Sequence, residues 1–234
     1  MTKSQKHLIR IVVLLIIMNL FPVSYSITRL TSLIIWPIVI LLTPWLLWKK
    51  KIAITVNLSC IALATLAISF PRTMKMEELQ TTYLQELRSF EGCFYVWGGE
   101  NFIGIDCSGL ARKALINSLL KEGQFKEALD LWYYDSSAKA LRDNYRKLTV
   151  NVSSEKSINE INYSSLRAGD LAITSNGVHV LIYLGEQEWI EADPGELEVL
   201  IVKAPQENFE WFNSPVEIRR WSLLEEGSLH KESF

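Results

Sequence analysis

The apolar positions divide this chain in two. Up to residue 70 they run almost unbroken, in three stretches at roughly 8–26, 30–48 and 52–70. Each is about 19 residues, which at 1.5 Å per helical residue approaches the ~30 Å hydrocarbon layer of a bilayer. The second and third hold no charged residue. Trp45 and Trp48 stand near the end of the second, where indoles favour the lipid–water boundary. Pro37 and Pro44 would break a soluble helix, but neighbouring helices in a membrane re-satisfy the freed carbonyls. The pattern predicts a membrane region over 1–72 with three transmembrane helices. A buried soluble hairpin is disfavoured, because the stretch leaves no solvated face. The first stretch, led by Lys3, Lys6 and Arg10, also has the form of a signal peptide, although VSYS is a poor small-residue cleavage site.

Beyond Pro71 the apolar positions become periodic. Met76, Leu79, Tyr83, Leu87 and Phe90 recur at three and four, which predicts an amphipathic helix over 76–90. A short strand is expected at 94–97, then helices at 107–121, 125–133 and 136–147, the last with Asp135 as its N-cap. The period then falls to two. Strands are expected at 170–174, 178–184, 188–192, 197–203 and 216–223, punctuated by Asn176-Gly177, Gly185 and Pro194-Gly195. Helices followed by a run of strands predict an α+β domain, 73–234, with helices packed on an antiparallel sheet.

Charge sharpens this division. The chain has 24 basic and 26 acidic residues, for a net charge of −2. All nine basic residues up to position 75 stand without one Asp or Glu, so the acidic residues all belong to the second part. Nucleic acid is excluded as a partner, since the domain offers no basic surface for phosphates. Three basic residues precede the first stretch or open it, three more (Lys49, Lys50, Lys51) follow the second, and Arg29 alone lies between the first and second. The Lys/Arg asymmetry places the N-terminus and the triple lysine in the cytoplasm. Three crossings then put the domain outside, in a multi-pass protein of the cell (inner) membrane with the lipid bilayer as partner.

The candidate chemistry comes by elimination. His7 precedes the first apolar stretch and His230 lies in a polar tail, which leaves His179, flanked by Val178 and Val180. Of the three cysteines, Cys60 falls in the third stretch and Cys93 before a strand. Cys107 stands in Gly104-Ile105-Asp106-Cys107-Ser108-Gly109, a polar turn opening a helix. First-turn N–H groups and the helix dipole favour a thiolate there, more so beside an imidazole. A buried structural thiol and a satisfied core histidine are the bland readings of the two residues. A Cys–His pair needs a third group to fix the ring. Glu191 or Asp193, on the strand after His179, could accept an Nδ1–H bond.

These residues resemble the NlpC/P60 family of papain-like cysteine peptidases. The likeness rests on Tyr95-Val96-Trp97-Gly98-Gly99, Asp106-Cys107-Ser108-Gly109-Leu110, Leu166-Arg167-Ala168-Gly169-Asp170-Leu171 and His179 to Gly185 with Trp189-Ile190-Glu191-Ala192. The resemblance implies a papain-like α+β fold that cleaves peptide or isopeptide bonds in peptidoglycan stem peptides, often of the γ-D-glutamyl–diaminopimelate type, with no metal or organic cofactor. It implies Cys107 as nucleophile, His179 as general base and Glu191 in the third position. Tyr95 matches a tyrosine near the nucleophile, and Asp106 and Ser108 match pocket positions. Asp193 is the remaining candidate for substrate binding. An acyltransferase or amidase using the same pair, or an inactive wall-peptide-binding module, are the alternatives. Ala168 stands where the family has Pro, Leu181 replaces a common Gly, and the segment 122–165 is longer than in compact members. That segment would be a lid, a specificity wall or, through its aromatics, core.

Overall fold

The computed structural model describes residues 2–47, 50–69 and 74–225. Trp48, Lys49, the expected boundary at 72/73 and His230 lie outside them. Three helices come first: α1 (Lys3–Leu20), α2 (Ser26–Leu47) and α3 (Lys50–Ser69). α2 contains Pro37 and Pro44 without interruption. The expectation of three spanning helices is met in part. Among the described residues one helix, Ser26–Trp45 within α2, is long and apolar enough to cross a membrane, with a mean hydropathy of 1.7. The apolar run of α3, Lys51–Leu66, is shorter, and α1 includes Lys3, Lys6 and Arg10. The three are tied by polar contacts: Ser32 Oγ lies 3.3 Å from Asn19 Oδ1, and Asn57 Nδ2 donates to the Leu41 carbonyl at 2.9 Å.

The remainder is α4 (Met76–Arg88), a two-residue hairpin of β1 (Glu100–Asn101) and β2 (Gly104–Ile105), and α5 (Cys107–Lys121). α6 (Phe125–Tyr133), α7 (Ala138–Arg142) and β3 (Thr149–Glu155) follow. Then come β4 (Leu171–Thr174), β5 (Val180–Gly185), β6 (Glu188–Asp193), β7 (Glu198–Lys203), α8 (Glu210–Asn213) and β8 (Val216–Trp221). Six strands form one antiparallel sheet in the order β3-β8-β4-β5-β6-β7. Alternation along the strands builds two cores. Val180, Ile182, Leu184, Ile190 and Ala192 pack with Leu79, Tyr83, Leu110, Leu115 and Leu119 of α4 and α5. Leu181, Tyr183 and Trp189 point the other way, into a layer with Ile158, Phe212 and Ile218.

Several elements depart from the sequence pattern. The segment 94–97 makes isolated bridges instead of a strand. Tyr95 N–H donates to Leu197 and Val96 N–H to Ile105, so it is drawn between two partners and no ladder forms. The helix expected at 136–147 stops at Arg142, because Asn144, Arg146 and Lys147 adopt positive φ. Its N-cap is Ser137, whose hydroxyl accepts from Ala140 N–H; Asp135 pairs with Arg112 instead. β3 was not expected: it is an edge strand of the sequence TVNVSSE, paired only with β8. The segment 122–165 therefore serves largely as scaffold. Leu131 is core, Trp132 packs on it, and Tyr134 stacks under Arg146 at 3.6 Å.

Candidate active site

Cys107 is the first residue of α5, which Asp106 caps. The Asp106 carboxylate accepts from Gly109 N–H (2.6 Å), from the Ser108 hydroxyl (3.0 Å) and, through Oδ2, from Gly98 N–H (2.9 Å). It therefore welds the Gly98-Gly99 loop to the helix start. Gly109 is required here: a Cβ would meet the Gly99 carbonyl oxygen at 2.2 Å. With Gly109 N–H capped, the N–H groups of Cys107 and Ser108 remain at the helix end without an intrahelical acceptor. The expected pocket-lining residues Asp106 and Ser108 are thus engaged with one another and with the loop.

His179 lies just before β5, not within the strand expected from 178. Its backbone N–H and that of Val178 donate to Thr174 Oγ1, at 3.0 and 3.2 Å. This hydroxyl ends β4 and fixes the turn that presents the ring. The imidazole is 2% exposed, and the Cys107 thiol and the Glu191 carboxylate are the two groups that favour its cation. His179 Nε2 is 2.6 Å from Glu191 Oε2. The carboxylate thus meets Nε2, which corrects the Nδ1 contact expected from sequence, and Cys107 Sγ lies 3.9 Å from the Val178 carbonyl oxygen beside the ring. Glu191 Oε1 is buried with no hydrogen-bond partner among the described residues. Asp193, the alternative, is turned into the β6–β7 turn, where Oδ1 accepts from Gly195 and Glu196 N–H.

Burial is the largest influence on His179 and disfavours its cation. The hydrogen bonds to Cys107 and Glu191 outweigh it and raise the imidazole from 6.5 to about 9. Burial also pushes the Glu191 carboxyl up, against the pull of His179. Tyr95, half-buried, is raised well above the usual phenol range by burial and by the nearby Cys107, Asp106 and Asp193, so its hydroxyl stays protonated. The arrangement gathers a thiol at a helix N-terminus, an imidazole and a carboxylate in one buried group. Among the described residues no group of three or more His, Cys, Asp and Glu could hold a metal ion.

Two features were missed from sequence. Trp211 of α8 stacks on the imidazole, with ring centroids 4.2 Å apart and planes at 15°. It lies 32 residues beyond His179, and no local pattern marks it. The second is a charged cluster under the Cys107 loop. Glu100 receives both Arg112 and Arg29, and Asp135 pairs with Arg112 and lies 3.5 Å from Arg29. Arg29 belongs to α2, so the cluster joins the apolar helices to the domain.

Comparison with known proteins gives one family match: the model described as NlpC/P60 family aligns with residues 92–210, which holds every candidate site residue. Comparison with curated proteins gives no match. Among solved structures, an NlpC/P60 family protein from Bacillus cereus is 20% identical, with 64% of this chain and 41% of that chain covered and a TM-score of 0.41. The NlpC/p60 domain of the peptidoglycan hydrolase SagA is 22% identical, covering 60% of this chain and 97% of that one, at 0.39. The peptidoglycan hydrolase RipB from Mycobacterium tuberculosis is 18% identical, covering 67% and 70%, at 0.40. The chain thus spans less than half of the Bacillus cereus protein.

Proposed function

The chain belongs to the NlpC/P60 family, and on that premise we propose that it is a membrane-anchored cysteine peptidase of the cell wall, cutting peptide or isopeptide bonds of peptidoglycan stem peptides. The observation that carries this reading is the buried row Cys107–His179–Glu191, with the sulfur at a helix N-terminus. Cys107 passes its proton to His179 Nδ1 and attacks the carbonyl carbon, forming a C–S bond. The tetrahedral oxyanion is received by the free N–H groups of Cys107 and Ser108 and by the protonated Tyr95 hydroxyl. The His179 proton goes to the leaving amine as the C–N bond breaks. Water, deprotonated by His179, then hydrolyses the thioester and restores the thiol. Glu191 orients the ring through Nε2 and stabilises its cation. A γ-D-glutamyl–diamino acid bond is the substrate that the resemblance suggests.

The course of the chain supports the anchor. α2 begins at the domain, where Arg29 pairs with Glu100. α3 leads the chain back to α4 and spans about 30 Å at 1.5 Å per residue. A crossing by α2 therefore requires a return by α3. The lysines at 50 and 51 lie at the end of the α2–α3 hairpin away from the domain, which favours a domain outside the cytoplasm.

The test is digestion of wall peptides by the full chain in nanodiscs, read by mass spectrometry. We expect new fragments whose mass identifies the bond cut, and none from Cys107→Ala. Equal product from that variant would overturn the assignment.

A further inference from the structure

The loop leading into Cys107 carries apolar side chains that the site does not use. Phe94, Trp97 and Phe102 are 71%, 80% and 72% exposed, and Ile103, in the β1–β2 turn, is exposed as well. The same loop is the part of the domain pinned to the α1–α2 turn. Glu100 N–H donates to the Pro22 carbonyl at 2.9 Å. Asn101 Nδ2 donates to the Leu20 and Phe21 carbonyls at 3.3 and 3.1 Å, and Gly99 bridges Val23. Trp97 and Phe102 thus stand one or two residues from positions bonded to the end of α1 and the turn after it. Phe21 and Tyr25 in the turn are exposed too. Between Cys93 and Ile103 the only charged residue is Glu100, and it is turned inward to Arg29 and Arg112.

We infer that Trp97, Phe102 and Ile103 seat the domain in the outer surface of the lipid bilayer that α2 enters. The inference rests on the membrane reading given above. Clustered exposed apolar side chains mark an interaction site, and the bonds that tie this loop to the end of α1, with the Arg29–Glu100 pair to α2, commit this one to lipid. An uncharged outward face and an indole fit the headgroup–acyl boundary. The Arg29–Glu100–Arg112 pairing keeps the loop from swinging away. The docking restrains how far Cys107, which follows β2 within two residues, can move from the membrane.

The experiment uses the full chain in nanodiscs, with Cys60→Ser, Cys93→Ser and Cys107→Ala leaving one introduced cysteine for a polarity-sensitive fluorophore. The reporters are Phe102→Cys and Ile103→Cys. The references are Ile38→Cys in α2 and Glu160→Cys, beyond the sheet from the helices. Emission is compared with and without lipids carrying a shallow spin label, after circular dichroism has shown each variant folded. The labels at 102 and 103 should lose emission as the one at 38 does, while the label at 160 keeps it. Labels at 102 and 103 as bright as at 160, with 38 quenched, would overturn the docking and leave the membrane reading standing. Escape of all four would remove the membrane reading, and the docking with it.

Discussion

Glu100 and Glu191 are both largely buried, and for both burial is the first influence pushing the carboxyl above its usual range. Their partners differ. Glu100 receives Arg112 and Arg29, and guanidinium groups keep their protons at any pH a cell meets. Glu191 meets His179, a ring whose proton comes and goes at about 9. Glu100 is therefore a fixed strut between α2, β1 and α5. Glu191 holds a charge whose value to the protein depends on where one proton is. The bonding agrees: one Glu100 oxygen serves two arginines, whereas Glu191 Oε1 has no partner among the described residues. The partner, more than the carboxylate or its depth, separates scaffold from chemistry.

The largest effect expected is on the strut. Arg112→Met leaves Glu100 with Arg29 alone and Asp135 without its closer partner. Removing one member of a buried pair costs about 3–5 kcal/mol. Thermal unfolding of the full chain should shift strongly downward, while the folded fraction keeps the pH profile of peptide release. An unchanged melting temperature would mean that the cluster carries no load.

The second effect is on the proton. His179 is raised from 6.5 to about 9, so its protonated form contributes to stability fully below pH 6.5, and the contribution is lost as pH rises through about 9. If the cation delivers the proton to the leaving amine, activity should fall on the alkaline side near the same value. Glu191→Gln keeps the shape and removes the charge. With burial still opposing the cation and Cys107 alone left to raise the ring, the alkaline limb should move down from about 9. A pH–rate profile on a wall peptide reads this directly. An unmoved limb would show that Glu191 is a spacer and would erase the contrast with Glu100.

Much of this pair was legible in the sequence because its signals are local. Cys107 announces itself by a polar turn before a helix, and period-two alternation puts Glu191 on the strand beside His179. The choice between Glu191 and Asp193 was left open because either could point at the ring; the Pro194-Gly195 turn takes Asp193 for its own N–H groups. The strut was invisible, since Arg29, Glu100, Arg112 and Asp135 are brought together from distant positions. Trp211 escaped for the same reason. β3 escaped because a half-exposed edge strand has no apolar face to show, and the segment 94–97 misled because apolar and aromatic residues there serve two separate partners.

The smallest effect belongs to a third ion pair, which sets the scale for the other two. Arg88 of α4 meets Glu188 of β6 at 2.9 Å, with side chains 48% and 33% exposed. Such pairs contribute about 0–1 kcal/mol, and salt screens them beyond about 8–10 Å. Arg88→Ala should lower the melting temperature by little and leave the alkaline limb in place, even though Glu188 lies on the same strand as Glu191. Parallel pH–rate profiles of Arg88→Ala and Glu191→Gln at low and moderate salt separate two causes. If Arg88→Ala moved the limb at low salt, the general field of the domain would be tuning His179. If only Glu191→Gln moves it, at both salts, contact with one buried oxygen, and not the general field, joins Cys107 in raising the ring.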